Sequence, residues 1–253
     1  MRYRTLATDY DGTLATHGVV DDATLDALRG AREAGIRLVL VSGRQLESLQ
    51  RIFSHFELFD LMVLENGGVV YESATSRLRA LCEPPLPAFL LALRERGVHP
   101  LSVGRVIVAT FVPHETTVLE VIRELGLELQ VIFNKGAVMV LPSGVNKATG
   151  LREALVALAT DPKDVVGVGD AENDHALLEM CGIGAAVANA LPALKERADY
   201  VASADHGAGV AEILDRMMAD ALRSSRPSPS GESAATVAAR RVLADEVDVH
   251  PDA

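Results

Sequence analysis

The chain has 253 residues, with 35 acidic and 24 basic side chains and a formal net charge of −11. At roughly 150 residues per domain this is one large domain or two modest ones, and a composition of 49% apolar and 23% charged residues excludes a wholly disordered chain. An acidic balance without a Lys/Arg-rich run argues against nucleic acid or an anionic membrane as partner, but not against a small anionic ligand where local donors or a cation reverse the sign.

Short β-type runs alternate with helical stretches from the N-terminus onward. Thr5 to Thr8 is a brief strand ending at Asp9, and Asp22 to Ala34 is a helix whose Leu25, Leu28 and Ala31 share one face before Gly35 stops it. Arg37 to Val41 is nearly continuously apolar, as a strand covered on both faces is. A helix over Gln45 to His55 and a strand over Leu61 to Leu64 follow. Pro84-Pro85-Leu86-Pro87 then punctuates the chain. Beyond it come a helix over Phe89 to Arg96, a strand over Val106 to Val112 and a helix over Glu115 to Leu125. A hairpin of Leu129–Phe133 and Ala137–Leu141 around Asn134-Lys135-Gly136 follows, and Pro142-Ser143-Gly144 closes the segment. The alternation then resumes. Helices are expected over Lys147–Ala159, Glu172–Met180, Pro192–Arg197 and Val210–Met218, with strands over Asp164–Val168 and Ile183–Val187.

This pattern predicts an α/β fold: a doubly wound parallel-sheet, Rossmann-like core over 1–81 and 146–220, with a small α+β domain inserted at 82–145. Residues 221–253 are unlike the rest. The Ser/Pro-rich stretch from Ser224 to Gly231 reads as a flexible terminus, or as a linker to a partner or further domain, with a weak helix over Ala234–Val247. Cys82 and Cys181 match no metal-ligand spacing and fit a reducing compartment. The N-terminus reaches Asp9 before a leader's apolar region forms, and no apolar run approaches the ~18 residues of a membrane span. The expectation is a soluble cytoplasmic protein.

Three predicted strands end on polar loops: Asp9-Tyr10-Asp11-Gly12-Thr13, Ser42-Gly43-Arg44 and Asp170-Ala171-Glu172-Asn173-Asp174. In a parallel sheet those ends share one edge, where such folds bind ligands. Asp9, Asp11, Asp170 and Asp174 gathered there cannot all stay ionised without a counter-charge, and an all-oxygen site suits Mg²⁺. Taken singly, Asp11-Gly12 is equally a turn, and Asp170 or Glu172 a helix cap or first-turn acid. The amides of Ser42-Gly43, ahead of a helix, are placed to face an anion, although a capped helix start has the same pattern. Lys147 opens a helix, where the dipole disfavours a cation, so a phosphate-facing ammonium is the better reading.

These segments resemble motifs one to four of the haloacid dehalogenase superfamily: Asp9-Tyr10-Asp11-Gly12-Thr13, then Ser42, Lys147, and Gly169-Asp170-Ala171-Glu172-Asn173-Asp174, in that order. An insert between the second and third motifs resembles the subfamily IIB (Cof-like) phosphatases, and Glu65-Asn66-Gly67-Gly68 is similar to their Asn-Gly loop. The insert, only about sixty residues long, is closer to the compact caps of archaeal-type phosphoglycolate phosphatases. The resemblance implies that Asp9 is the nucleophile, forming an aspartyl-phosphate, and that Asp11 is the acid and base. It implies a Mg²⁺ site from Asp9, the Asp11 backbone carbonyl, Asp170 and Asp174, with Asn173 as a further ligand or in support. Ser42, Gly43, Lys147 and Asn66 would hold the phosphate of a small phosphorylated metabolite. Arg105, His114, Glu115, Asn134 and Lys135 are the candidate substrate readers in the cap. A sugar phosphomutase on the same core and a phosphate-sensing regulatory module of a longer protein are the alternatives. His114-Glu115-Thr116-Thr117-Val118 lacks the second His of a zinc-protease helix, and no P-loop or EF-hand pattern is present.

Overall fold

The computed structural model describes residues 2–223, so the expectations for the Ser/Pro-rich stretch and the Ala234–Val247 helix lie outside the described residues. In chain order, the first part comprises β1 (Thr5–Asp9), α1 (Asp22–Glu33), β2 (Arg37–Val41), α2 (Leu46–Gln50), β3 (Leu61–Leu64), β4 (Val69–Glu72) and β5 (Arg77–Ala80). The inserted part comprises α3 (Pro87–Glu95), β6 (Ser102–Val103), β7 (Val108–Phe111), α4 (Glu115–Glu124), β8 (Leu129–Asn134) and β9 (Ala137–Pro142). The chain then continues with α5 (Lys147–Ala157), β10 (Val165–Gly169), α6 (His175–Met180), β11 (Ile183–Ala186), α7 (Pro192–Lys195), β12 (Tyr200–Val201) and α8 (His206–Met218).

The larger sheet has the order β12-β11-β10-β1-β2-β3-β4-β5. From β12 to β3 every pairing is parallel, and β1 lies between β2 and β10. The chain therefore winds outward from β1 in one direction, then returns to its other side. That reversal opens a crevice at the strands' C-terminal edge. β1 is buried throughout and β2 is buried in all but its first residue, as strands covered by helices on both faces must be. Asp21 caps α1 by accepting from the Thr24 N–H, and Thr24, Leu25, Leu28 and Ala31 form its buried face. Leu28 has no exposed surface, and truncating such a side chain costs about 2–5 kcal/mol.

Four local expectations need correction. The sheet carries an antiparallel edge hairpin, β4–β5, that the alternation did not show, because its second strand, Arg-Leu-Arg-Ala, is mostly exposed and lacks the apolar signal. The helix expected over Gln45–His55 stops at Gln50, where the chain turns to bury Phe53 beside Tyr10 and Phe59. Glu172–Met180 splits into a 3-10 turn at Glu172–Asp174 and α6. The last helix starts at His206 rather than Val210, since its first turn packs so closely on α1 that a Cβ on Gly207 would lie 2.2 Å from the Thr24 hydroxyl.

The smaller sheet, order β6-β7-β9-β8, is antiparallel throughout. Strand periodicity explains how it faces two ways. Val138 and Val140 of β9 pack with Phe89, Leu93, Val118 and Val121 of α3 and α4. Their neighbours Met139 and Leu141 join the main core, together with Val106 and Ile107. The insert thus has its own small core, and its other face lies over the crevice.

Candidate active site

Asp9 ends β1 and Asp170 follows β10, and the parallel register Thr8↔Val168 delivers both to the same edge. Asp174 arrives through the 3-10 turn that precedes α6. One oxygen from each of the three lies within 4.8 Å of the others, and all three residues are buried. Lys147, the first residue of α5, is 1% exposed, and its Nζ donates to Asp9 Oδ1 and Asp174 Oδ1, both at 2.6 Å. The other Asp174 oxygen accepts the backbone N–H groups of Asp170 and Ala171, each at 3.0 Å. The Thr13 hydroxyl donates to Asp170 Oδ1.

The direction of Lys147 is set locally. Asn146 caps α5, accepting from the N–H groups of Ala148 and Thr149 while the Asn146 N–H donates to the Thr149 hydroxyl. Gly67 allows the Asn-Gly turn to pass directly against this cap: at φ +106, a Cβ there would stand 1.9 Å from the Asn146 carbonyl oxygen.

Burial pushes the Asp9 carboxyl up to about 7, and repulsion from Asp174 and Asp170 adds to this against the attraction of Lys147. Burial also opposes the charge on Lys147, but the carboxylates of Asp174 and Asp9 outweigh it and hold the ammonium above the ordinary lysine range. One buried ammonium therefore leaves the cluster with an excess of negative charge. That excess and the hard oxygen donors fit a divalent cation of the Mg²⁺ type. Asn173 Oδ1, beside the cluster, is buried without a hydrogen-bond partner and suits the same cation.

The remaining expected residues separate. The Asp11 side chain stands apart from the carboxylate cluster and receives both Nε and Nη2 of Arg44 at 2.7 Å. Ser42 is fully buried, its Oγ accepts from the Arg44 N–H, and Gly43 lines the cavity beside it. The expected helix-start anion site does not form at Ser42. Its N–H donates to the Val63 carbonyl at 2.8 Å, and α2 begins only at Leu46 after a turn at Gln45. Asn66 is fully buried at φ +54, and its Oδ1 accepts from Asn173 Nδ2 at 2.9 Å, so it braces Asn173 in this structure.

A cavity of about 380 Å³ runs from Asp9, Asp11 and Lys147 to the underside of the smaller sheet, where Ile107, Ala109, Ala137 and Met139 form an apolar roof. The two layers are fastened at several points. Glu65, 1% exposed, accepts the consecutive backbone N–H groups of Arg105, Val106 and Ile107 at 2.8 to 3.0 Å. Gln45 donates to the Ser102 hydroxyl, Arg105 pairs with Glu47, and Lys135 Nζ donates to Asp170 Oδ2 at 2.7 Å. Of the cap candidates, Asn134 lines the cavity and Lys135 reaches the acidic cluster. Arg105 serves the fastening instead, and His114 bonds the His99 backbone within the cap. Glu115 opens α4 and does not line the cavity.

Arg44 and Glu65 were absent from the expected site, although both stood inside segments singled out in the sequence. The available signal was a charged residue in a tight turn between buried strands.

The sequence profile described as haloacid dehalogenase-like hydrolase matches residues 6–82 and 107–214. The phosphoglycolate phosphatase of Methanothermobacter thermautotrophicus is 33% identical over 222 residues, covering 85% of this chain and 99% of its own. Among solved structures, a haloacid dehalogenase-like hydrolase from Bacteroides thetaiotaomicron superposes with a TM-score of 0.71 at 21% identity, over 85% of this chain and 99% of that one. A subclass IIB sugar phosphatase of that superfamily gives 0.69 at 19% identity, over 85% and 98%.

Proposed function

The chain belongs to the haloacid dehalogenase-like hydrolases, and from that premise we propose that it is a Mg²⁺-dependent phosphatase acting on a small phosphate monoester, with phosphoglycolate the first candidate substrate. The observation that carries the reading is the Lys147 ammonium held between Asp9 and Asp174 at the mouth of a cavity. An anionic nucleophile meeting an anionic phosphate needs positive charge fixed beside both.

Asp9 attacks phosphorus, the bond to the leaving oxygen breaks, and the phosphoryl group passes to the carboxylate as an aspartyl-phosphate. Asp11 has the acid–base role in this reading: released from its pair with Arg44 and protonated, it gives its proton to the leaving alcohol, then takes one from the water that cleaves the intermediate. Lys147 stays beside Asp9 and offsets the charge spreading over the phosphoryl oxygens. Gly43 lines the cavity on the β2 side and would meet those oxygens, with the buried Ser42 hydroxyl behind it turning toward them when phosphate binds, while Asn66 keeps Asn173 oriented. Asp9, Asp170 and Asp174, with Asn173 and the Asp11 carbonyl, would hold the Mg²⁺, which when bound neutralises the phosphoryl oxygens as a Lewis acid. The similarity to phosphoglycolate phosphatases favours hydrolysis of a small ester over a mutase reaction on the same core.

The core boundaries at 1–81 and 146–220 and the cap at 82–145 belong to this reading, supported by the two sheets and their two cores. A cytoplasmic setting belongs to the same reading, with Cys82 and Cys181 as free thiols. Among the described residues no helix is long and apolar enough to cross a membrane.

The test is phosphate release from a panel of phosphorylated metabolites, phosphoglycolate and sugar phosphates included, with Mg²⁺ and with Asp9→Asn as control. Release by the wild type that disappears in Asp9→Asn is expected. A folded wild type that releases phosphate from no ester overturns the reading.

A further inference from the structure

Lys135 sits at the tip of the β8–β9 hairpin. The pair Asn134↔Ala137 leaves Lys135 and Gly136 as a two-residue loop, with φ of +47° and +84°. Asn, Asp or Gly suits the first of those positions, and a lysine there carries a steric cost that its local sequence does not repay. Its ammonium crosses from the cap to the core and reaches Asp170, a residue only 2% exposed, although half of the Lys135 side chain stays in solvent. The core backbone is cut away to admit it. Gly12 has φ +90°, and a Cβ there would lie 2.5 Å from both Lys135 Nζ and Asp170 Oδ2. Next to it, Asn134 Oδ1 is buried without a partner at the edge of the cavity.

Charge matching assigns the two lysines different duties. Lys147 is committed to Asp9 and Asp174, whereas Asp170 depends on Lys135 and the Thr13 hydroxyl. A dication held by Asp170 would face the Lys135 ammonium as a like charge, and the ammonium must then move to another anion nearby. Resting on the phosphatase reading, we propose that Lys135 is a substrate-binding residue carried by the cap: it neutralises Asp170 in the empty site and shifts onto the phosphoryl group once cation and ester are bound. The phosphoryl group is then held by one ammonium from the core and a second from the cap.

The test is calorimetric and needs no turnover. Lys135→Asn removes the ammonium and suits the left-handed turn, so the variant folds. Mg²⁺ is titrated into the metal-free protein, and inorganic phosphate into the Mg²⁺-loaded protein. The expected result is a crossed effect. Mg²⁺ binds about threefold more tightly once its competitor is gone, phosphate binds about tenfold more weakly, and Lys135→Arg restores both. A merely structural clasp leaves phosphate affinity unchanged, and that outcome, or unchanged Mg²⁺ affinity, overturns the proposal. A wild type that binds no phosphate in Mg²⁺ overturns this inference alone, whereas a wild type that releases phosphate from no ester overturns the phosphatase reading and this inference with it.

Discussion

Two lysines approach one acidic cluster, and the contrast between them separates the core of this molecule from its cap. Lys147 is fixed by a capped helix start and carries two carboxylates at 2.6 Å with 1% of its side chain exposed. Lys135 hangs from a hairpin tip, meets one carboxylate, and keeps 51% of its side chain in water. The first cannot leave without stranding a buried charge, which makes it part of the fold. The second is itself screened by solvent and can leave once a cation takes its place beside the buried Asp170 carboxylate. Permanence in the site follows burial rather than charge, and the cap supplies the dismissible partner.

The sharpest way to break the contrast is Lys147→Met. Removing one partner of a buried ion pair costs about 3–5 kcal/mol, so Tm falls well below that of Lys135→Asn, and phosphate release drops by about 10²–10³-fold. Equal effects of the two variants on Tm would erase the distinction. A loss of similar size, confined to the cap, is expected for Glu65→Ala, which strands three backbone N–H groups of the cap turn. Each unsatisfied group costs about 1–3 kcal/mol unless water reaches it. Hydrogen exchange at Arg105, Val106 and Ile107 should accelerate while the β1 and β2 amides stay protected; acceleration throughout would show that cap and core open as one unit.

A further effect is pH-dependent. With a folded pKa of about 7, against 3.8 for an unperturbed carboxyl, Asp9 binds its proton more tightly in the folded state. Stability of the metal-free protein therefore falls as pH rises from about 4 to about 7 and is level above that. Asp9→Asn abolishes this penalty. Its Tm should match the wild type near pH 4 and exceed it at pH 8, and the difference should shrink when Mg²⁺ is added. A constant Tm difference across that range would mean that Asp9 is not charge-stressed in the empty site.

Sequence reasoning reached the core because its signals are local. Buried parallel strands are written as apolar runs such as Arg37–Val41, and each ends in a polar loop whose direction follows from the sheet. Asp9, Asp170 and Asp174 were legible for that reason, although they lie up to 165 positions apart (174 − 9), and Lys147 because a cation opening a helix is out of place there. The hairpin around Asn134-Lys135-Gly136 was legible too, while what its lysine touches was not.

Chain order and residue type by themselves determined the α/β class, the inserted segment and the gathering of carboxylates at one sheet edge, because strand polarity and period are properties of the local chain. Tertiary structure decided the rest. It turned Asp11 toward Arg44, placed Glu65 under the cap amides, withdrew the Ser42 amide from the site, and brought Lys135 across to Asp170. Those contacts join residues 21 to 42 positions apart, within the core and between the two layers, and no periodicity in the sequence encodes how a side chain turns once it arrives.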